Sequence, residues 1–227
     1  MTTPFYVPPE QLVKDRADFA RKGVSRGRPI VVLQLKVGIL LIGENPSPSL
    51  RKIGEIYDRI AFAGVGRFNE FETLRVAGIR YADLKGYSYA RTDVTGKSLA
   101  NAYSQTLGQI FSHEIKPYEV DIVVAEVGQE LSEDKLFRVQ FDGTLRDADR
   151  FVVLGAGEEP IAERISTSLN TEMSLDEAVA LAADSITHVE EREIGTSEWE
   201  TGFLERSAER RAFRRLNPTE LESALDS

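Results

Sequence analysis

The order of hydrophobic periodicities along the chain limits the fold more than any other feature. Strand-length apolar runs come in blocks, and the blocks are separated by pairs of helical stretches. Residues 29–36 and 38–43 are two apolar runs joined at Lys36-Val37-Gly38, the pattern of a tight hairpin of buried strands. Residues 52–56 and 60–65 read as a second hairpin, with Tyr57-Asp58-Arg59 at its turn. Two helical stretches follow. In 67–89, Phe68, Phe71, Leu74, Ala77 (or Gly78), Tyr81 and Leu84 recur at three- and four-residue steps. In 95–115, Leu99, Ala102, Tyr103, Thr106, Leu107 and Ile110 do the same, with Thr95 placed as N-cap. Strands return at 119–127, 135–141 and 151–154, helices at 160–169 and 174–189, a last strand at 199–205, and a short acidic helix at 216–225 opened by Asn217 and Pro218. A doubly wound βαβ sheet would alternate strands with single helices, so this order opposes it. It favours two stacked, mostly antiparallel sheets with a helix pair covering each outer face.

Ahead of this body, three prolines in the first nine residues oppose regular structure, so 1–8 is read as an arm. Phe5, Tyr6 and Val7 make it sticky. Pro9 suits the first position of a helix over 10–22, whose apolar stripe is Leu12, Val13, Ala17, Phe19 and Ala20. Glu10 lies in its first turn, Arg21 and Lys22 in its last, and Gly23 is placed just past its end.

Composition removes several classes of function. The 227 residues contain no cysteine, which excludes disulfides, thiol catalysis, thiolate zinc sites and iron–sulfur clusters within the chain. Two histidines, His113 and His188, leave little for an imidazole metal site, so no metal and no cofactor are expected. A net charge of −9 argues against nucleic acid as a partner. No run of eighteen apolar residues occurs, and the first residues lack a basic segment followed by a long apolar core. The expectation is a single domain over 9–216 with a tail over 217–227, cytoplasmic and without membrane contact.

Local motifs have bland readings. Thr95-Gly96-Lys97-Ser98 looks like the end of a phosphate loop, but Arg91 stands where the motif needs glycine, so a helix N-terminus is the better reading. Gly155-Ala156-Gly157 has Pro160 where a dinucleotide fingerprint needs a small residue, and reads as a strand-to-helix turn. Glu158-Glu159 and Glu190-Glu191 read as solvated charge. The cluster Arg206, Arg210, Arg211, Arg214 and Arg215, diluted by Glu205 and Glu209, reads as a solvated edge.

A set of longer strings, each weak alone, stands in one order: Pro9-Glu-Gln11, Ala20-Arg-Lys-Gly23, Gly43-Glu-Asn-Pro-Ser47, Leu50-Arg-Lys-Ile53, Tyr57-Asp-Arg59, Gly66-Arg-Phe-Asn-Glu-Phe71, Asp93-Val-Thr-Gly96, Leu99-Ala-Asn-Ala-Tyr103, Gln105-Thr-Leu-Gly108, Lys116-Pro-Tyr-Glu-Val120 and Arg211-Ala-Phe-Arg-Arg215. The chain resembles the α subunits of proteasomes, of the actinobacterial type. The resemblance implies an α+β fold, the four-layer αββα sandwich of N-terminal-nucleophile hydrolases, with an extra N-terminal helix. It implies a seven-membered ring of this chain stacked on rings of a catalytic β subunit, a ring-shaped ATPase activator, and unfolded protein substrates passing a pore. Relatives usually carry Ser where this chain has Pro8, so the first helix lacks a side-chain cap.

By the same resemblance, Lys52 lies in a pocket between neighbouring subunits and pairs with the C-terminal carboxylate of the activator, with Gly27, Gly66 and Arg67 forming the rest of that pocket. Thr2, Thr3, Pro4, Phe5, Tyr6, Val7 and Pro8 form the gate. Leu12, Val13 and Phe19 of the first helix make ring contacts. No catalytic residue is carried over. The sister β subunits use an N-terminal threonine at the start of the first strand, whereas here that strand starts at Gly27-Arg-Pro-Ile30. Two alternatives are a self-processed, stand-alone amidohydrolase of the same fold and an unrelated αββα binding protein that forms no ring.

Overall fold

The computed structural model describes residues 8–47 and 49–225. It contains helix α1 (Pro9–Val24), strands β1 (Ile30–Leu35), β2 (Gly38–Glu44), β3 (Ile53–Tyr57) and β4 (Ile60–Gly66), then helices α2 (Phe68–Ser88) and α3 (Gly96–His113). Strands β5 (Val120–Glu126), β6 (Lys135–Val139), β7 (Leu145–Ala148) and β8 (Phe151–Leu154) follow, with helices α4 (Glu158–Ser168) and α5 (Leu175–Glu190). Strands β9 (Trp199–Glu205) and β10 (Phe213–Arg214) and helix α6 (Pro218–Leu225) close the described chain. Its two sheets run β10-β9-β2-β1-β8 and β3-β4-β5-β6-β7, and every pairing is antiparallel.

Side-chain alternation explains the layering. Ile30, Val32, Ile39 and Leu41 of the first sheet meet Ala61, Ala63, Val65, Val123 and Ala125 of the second in one central core. The opposite faces of β1 and β2, with Val31, Leu33, Leu40 and Ile42, pack under α4, α5 and α6. Phe62, Ile122 and Val124 pack under α2 and α3. Strands buried on both faces need continuous rather than alternating hydrophobicity, which is why β1 and β2 read as unbroken apolar runs. The result is the expected αββα sandwich, with three helices rather than two on the first sheet.

Differences from the sequence reading have local causes. Strand β7 was missed because Leu145-Arg-Asp-Ala148 is short and polar, as suits an edge strand. The two-residue β10 carries no periodicity at all. Gly23 lies inside α1, not beyond it, and the helix runs one residue further. A Cβ at Gly23 would stand 2.2 Å from Glu119 Oε2, so the glycine is there for close approach. Helix α4 starts two residues before Pro160. Several capping expectations hold. Thr95 Oγ1 accepts the Ser98 amide at 3.2 Å, and Asn217 Oδ1 accepts the Glu220 amide at 2.9 Å. Pro8 offers α1 no side-chain cap, and its carbonyl takes the Gln11 and Leu12 amides at 3.0 and 3.1 Å.

The apolar stripe of α1 divides. Ala20 and Val24 bury against Phe141, with Ala17 and Phe111 at the margin. Leu12, Val13 and Phe19 remain exposed at 51, 53 and 46%. Unfolding of the isolated chain by urea should separate the two classes. Leu41→Ala, between the sheets, should cost about 2–5 kcal/mol, and Leu12→Ala should stay within about 0.5 kcal/mol.

Candidate functional site

Glu44 and Glu200 are buried carboxylates in otherwise apolar strands, at 0 and 2% exposure. An acid can be held there only if donors surround it. Glu44, at the end of β2, is ion-paired with Arg28 and Arg192. Glu200, in β9, accepts the backbone amides of Lys52 at 2.9 Å and Ile53 at 3.2 Å. It also accepts Asn45 Nδ2 at 2.6 Å and Arg215 Nη1 at 3.0 Å.

These bonds place Lys52. Its carbonyl accepts the Gly64 amide at 3.1 Å, which joins it to β4 two residues before Gly66. Its Nζ donates to the Glu44 carbonyl at 3.1 Å. Arg28, paired with the side chain of that same Glu44, adjoins Gly27. A Cβ on Gly27 would stand 2.2 Å from Val65 Cγ1 and 3.2 Å from the Gly66 nitrogen. Gly66 has φ +118°, and its Cβ would stand 1.8 Å from the Glu119 carbonyl. Gly27 and Gly66 thus lie against each other, and Lys52 is bonded to β4 two residues from Gly66, so the three share one corner. Packing alone accounts for both glycines, before any ligand is considered. The turn after β8 is fastened to the same corner, since the Ala156 amide donates to the Gly27 carbonyl at 2.8 Å.

Burial drives the Lys52 ammonium down to about 8, with the Arg28 charge adding to that and Glu200 opposing it. Arg67 borders the corner through its amide, which donates to the Glu119 carbonyl at 3.1 Å. Its side chain turns to the Glu119 carboxylate, Nε to Oε1 at 2.7 Å, which Lys116 shares at 3.1 Å. Among the described residues, Lys52 has no carboxylate partner for its ammonium. A lysine Nζ carries three donors and this one makes a single hydrogen bond.

The other residues singled out by the sequence lie elsewhere. Thr2, Thr3, Pro4, Phe5, Tyr6 and Val7 lie outside the described residues, and Pro8 is exposed. The phosphate-loop resemblance at Thr95 is accounted for by Glu126, whose Oε2 accepts the Gly96 amide at 2.8 Å and already supplies an anion to that helix end. Gly155 and Gly157, with φ +99 and +63°, make the expected strand-to-helix turn. The arginine cluster is a solvated edge only in part, at the exposed Arg210 and Arg211. Arg206 is bound to Asp134 at 2.6 Å, and Arg215 to Glu200. Arg211 and Arg214 pair with Glu55 and Glu220. Glu158 is likewise not simply solvated, since Arg138 bridges it at 2.9 Å to Asp121 at 2.7 Å. Sequence reasoning missed Arg28, Glu44 and Glu200. The available signal was an acidic residue directly after the apolar run 38–43 and another inside 199–205.

Two five-stranded antiparallel sheets facing each other between helical layers, with a further helix ahead of the first strand, define an αββα sandwich subunit. The proteasome subunit family matches residues 24–201. Proteins named proteasome subunit alpha are similar over nearly the whole chain. That of Arthrobacter sp. (strain FB24) is 52% identical, covering 99% of this chain and 98% of its own. That of Kineococcus radiotolerans is 50% identical, covering 96 and 95%. That of Thermomonospora curvata is 50% identical, covering 99 and 98%. The chain belongs to the proteasome subunit family, on its α side, as a component of the proteasome core particle.

The lowered Lys52 value makes a stability prediction. The unfolded chain holds the Lys52 proton up to the ordinary lysine range, while the folded chain releases it near 8. Between these limits the unfolded state binds more protons, so stability rises with pH. Relative to Lys52→Met, the wild-type chain should gain about 1–2 kcal/mol between about pH 7.5 and 9.5. Paired urea titrations at the two pH values measure this difference, and a flat difference would contradict the assignment.

Proposed function

We propose that this chain is a non-catalytic α-ring subunit of the core particle, which scaffolds the β rings, gates substrate passage and docks an ATPase activator. The observation that supports docking is Lys52 itself. A half-buried ammonium with spare donors belongs to a residue bonded to β4 near Gly66, whose backbone meets that of Gly27. A chain terminus ending in a carboxylate suits it, because a flexible point charge can capture an anion while the glycines allow the arriving backbone close. Arg28 adds positive charge on the same side. The activator in this reading is a ring-shaped ATPase whose subunits end in such a terminus.

Ring formation rests on α1. Its exposed Leu12, Val13 and Phe19 are costly to leave in water, and full burial of such a side chain contributes about 1.5–3 kcal/mol. Seven copies that pack these residues against neighbours would gain that burial seven times over. In this reading Thr2, Thr3, Pro4, Phe5, Tyr6, Val7 and Pro8 bring aromatic surface to the pore of the ring and control access of unfolded protein in the cytoplasm.

The competing amidohydrolase reading needs a free α-amine at the start of β1, acting as base for its own side chain. Here α1 and the segment 25–29 precede that strand, so the nitrogen at Arg28 is an amide, and its side chain is an ion-paired guanidinium. Neither group can do that chemistry.

Three measurements test the proposal. Native mass spectrometry of particles purified by a C-terminal tag should show seven-membered α rings with this chain uncleaved. A cleavage near residue 27 would favour the hydrolase. Leu12→Asp combined with Phe19→Asp should leave the urea midpoint of the chain unchanged and abolish the ring. Lys52→Ala should weaken binding of a peptide with a free C-terminal carboxylate by about 10–100-fold while the ring persists. That binding should also fall as pH rises through about 8, where the free ammonium is lost.

A further inference from the structure

Lys52 is placed as a nucleophile as well as a cation. Its Nζ is held against one carbonyl, that of Glu44, at 3.1 Å. The charges around it are Arg28 from the segment before β1, Glu44 from β2, Glu200 from β9, Arg215 from beyond β10, and Arg192 from beyond α5. Glu190 lies on the rim, 3.8 Å from Arg192. Glu44 is spent on Arg28 and Arg192, and Glu200 on two amides, Asn45 and Arg215. Neither carboxylate makes an ion pair with the Lys52 amine. Arg28 is 44% exposed and remains open to an incoming anion on its outer side. An amine beside an accessible guanidinium suits an electrophile that carries its own negative charge.

We infer that the Lys52 amine is a preferred acyl acceptor for small anionic acyl donors of the acyl phosphate class. The neutral amine attacks the carbonyl carbon of the donor, and a nitrogen–carbon bond forms. The bond from that carbon to the phosphate oxygen breaks, and inorganic phosphate leaves with the electron pair. The nitrogen's surplus proton passes to phosphate or water. No oxidant or further reactant is required. Burial and the Arg28 charge both favour the neutral, reactive form of the amine. The product is a neutral amide with fewer donors, so acylation would close the docking corner. That consequence alone rests on the docking function proposed above.

The test incubates the full-length chain with acetyl phosphate at pH 7.5 and follows each lysine by peptide mass spectrometry. Lys52 should acetylate about tenfold or more faster than the exposed Lys14, Lys97 and Lys135. Inorganic phosphate should slow Lys52 and leave Lys14 unaffected, and Arg28→Gln should slow Lys52 selectively. Labelling of Lys52 at or below the rate of the exposed lysines overturns the inference, as does labelling indifferent to phosphate. The phosphate arm uses the unaltered chain and so stands even where Arg28→Gln does not fold. Binding of a carboxylate-terminated peptide is then compared before and after acetylation. Fast acetylation with unchanged peptide binding would leave the acceptor inference standing and remove the docking function. Slow acetylation with binding lost in Lys52→Ala would do the reverse.

Discussion

The Glu200 carboxylate is the constraint on which the corner depends. It sits in β9, part of the first sheet, and its acceptors are filled from the start of β3 in the second sheet, from the segment after β2 and from the segment after β10. A buried carboxylate is tolerated only while those donors remain, because an unpaired charge in that position costs several kcal/mol. The two sheets are therefore tied at this end by an electrostatic requirement as well as by apolar contact. Arg215 reinforces the tie by donating to the Ile53 carbonyl at 2.6 Å. Lys52, whose amide is one of the donors, has its backbone set by this arrangement, and only its side chain retains freedom.

The opposite end of the sandwich is built from the same materials with a different outcome. Arg206 donates to both Asp134 oxygens at 2.6 and 2.7 Å and to the carbonyls of Leu35 and Lys36 at 2.9 and 2.8 Å. Arg59 takes the carbonyls of Val127, Gly128 and Ala208, each at 2.8 Å. Arg206 uses all five of its donors and Arg59 four, and they seal the ends of the strands. Of these three cations, Lys52 is left with the most donors to spare, two of three. The contrast follows from residue chemistry. A guanidinium's five donors spread in a fixed plane and suit several fixed carbonyls, while an ammonium on a flexible stem satisfies one and can turn to another partner.

Much of this was legible in the sequence, for reasons that particular residues make plain. The apolar runs at 29–36 and 38–43 gave their strands because both faces are covered, and Thr95 and Asn217 gave helix starts because capping is local chemistry. The corner was reached through resemblance, since nothing in the spacing of Gly27, Lys52 and Gly66 brings them together. The ion pairs of Arg28, Arg206 and Glu158 were invisible because their partners are distant in the chain and meet only once the sheets pack. Gly23 and Gly27 illustrate the same limit: each looks like a local signal, but the atoms that exclude a side chain there belong to Glu119 and Val65.

The start of β1 in this chain differs from what an N-terminal nucleophile requires. An N-terminal nucleophile needs its own amine released at the first residue of the strand. Helix α1 removes that option covalently, because the chain runs on through it and is anchored there by Ala20 and Val24 against Phe141. Arg28, just before the strand, is ion-paired with the buried Glu44. What survives is a lysine with a lowered affinity for its proton, next to backbone that carries no side chains. Such a group can bind an anion or react with an activated acyl group, whereas N-terminal-nucleophile chemistry would need the nitrogen that the peptide bond at the strand start ties up. The extra helix thus does two things: it keeps the start of β1 inside a peptide chain, and it leaves Leu12, Val13 and Phe19 exposed on the surface.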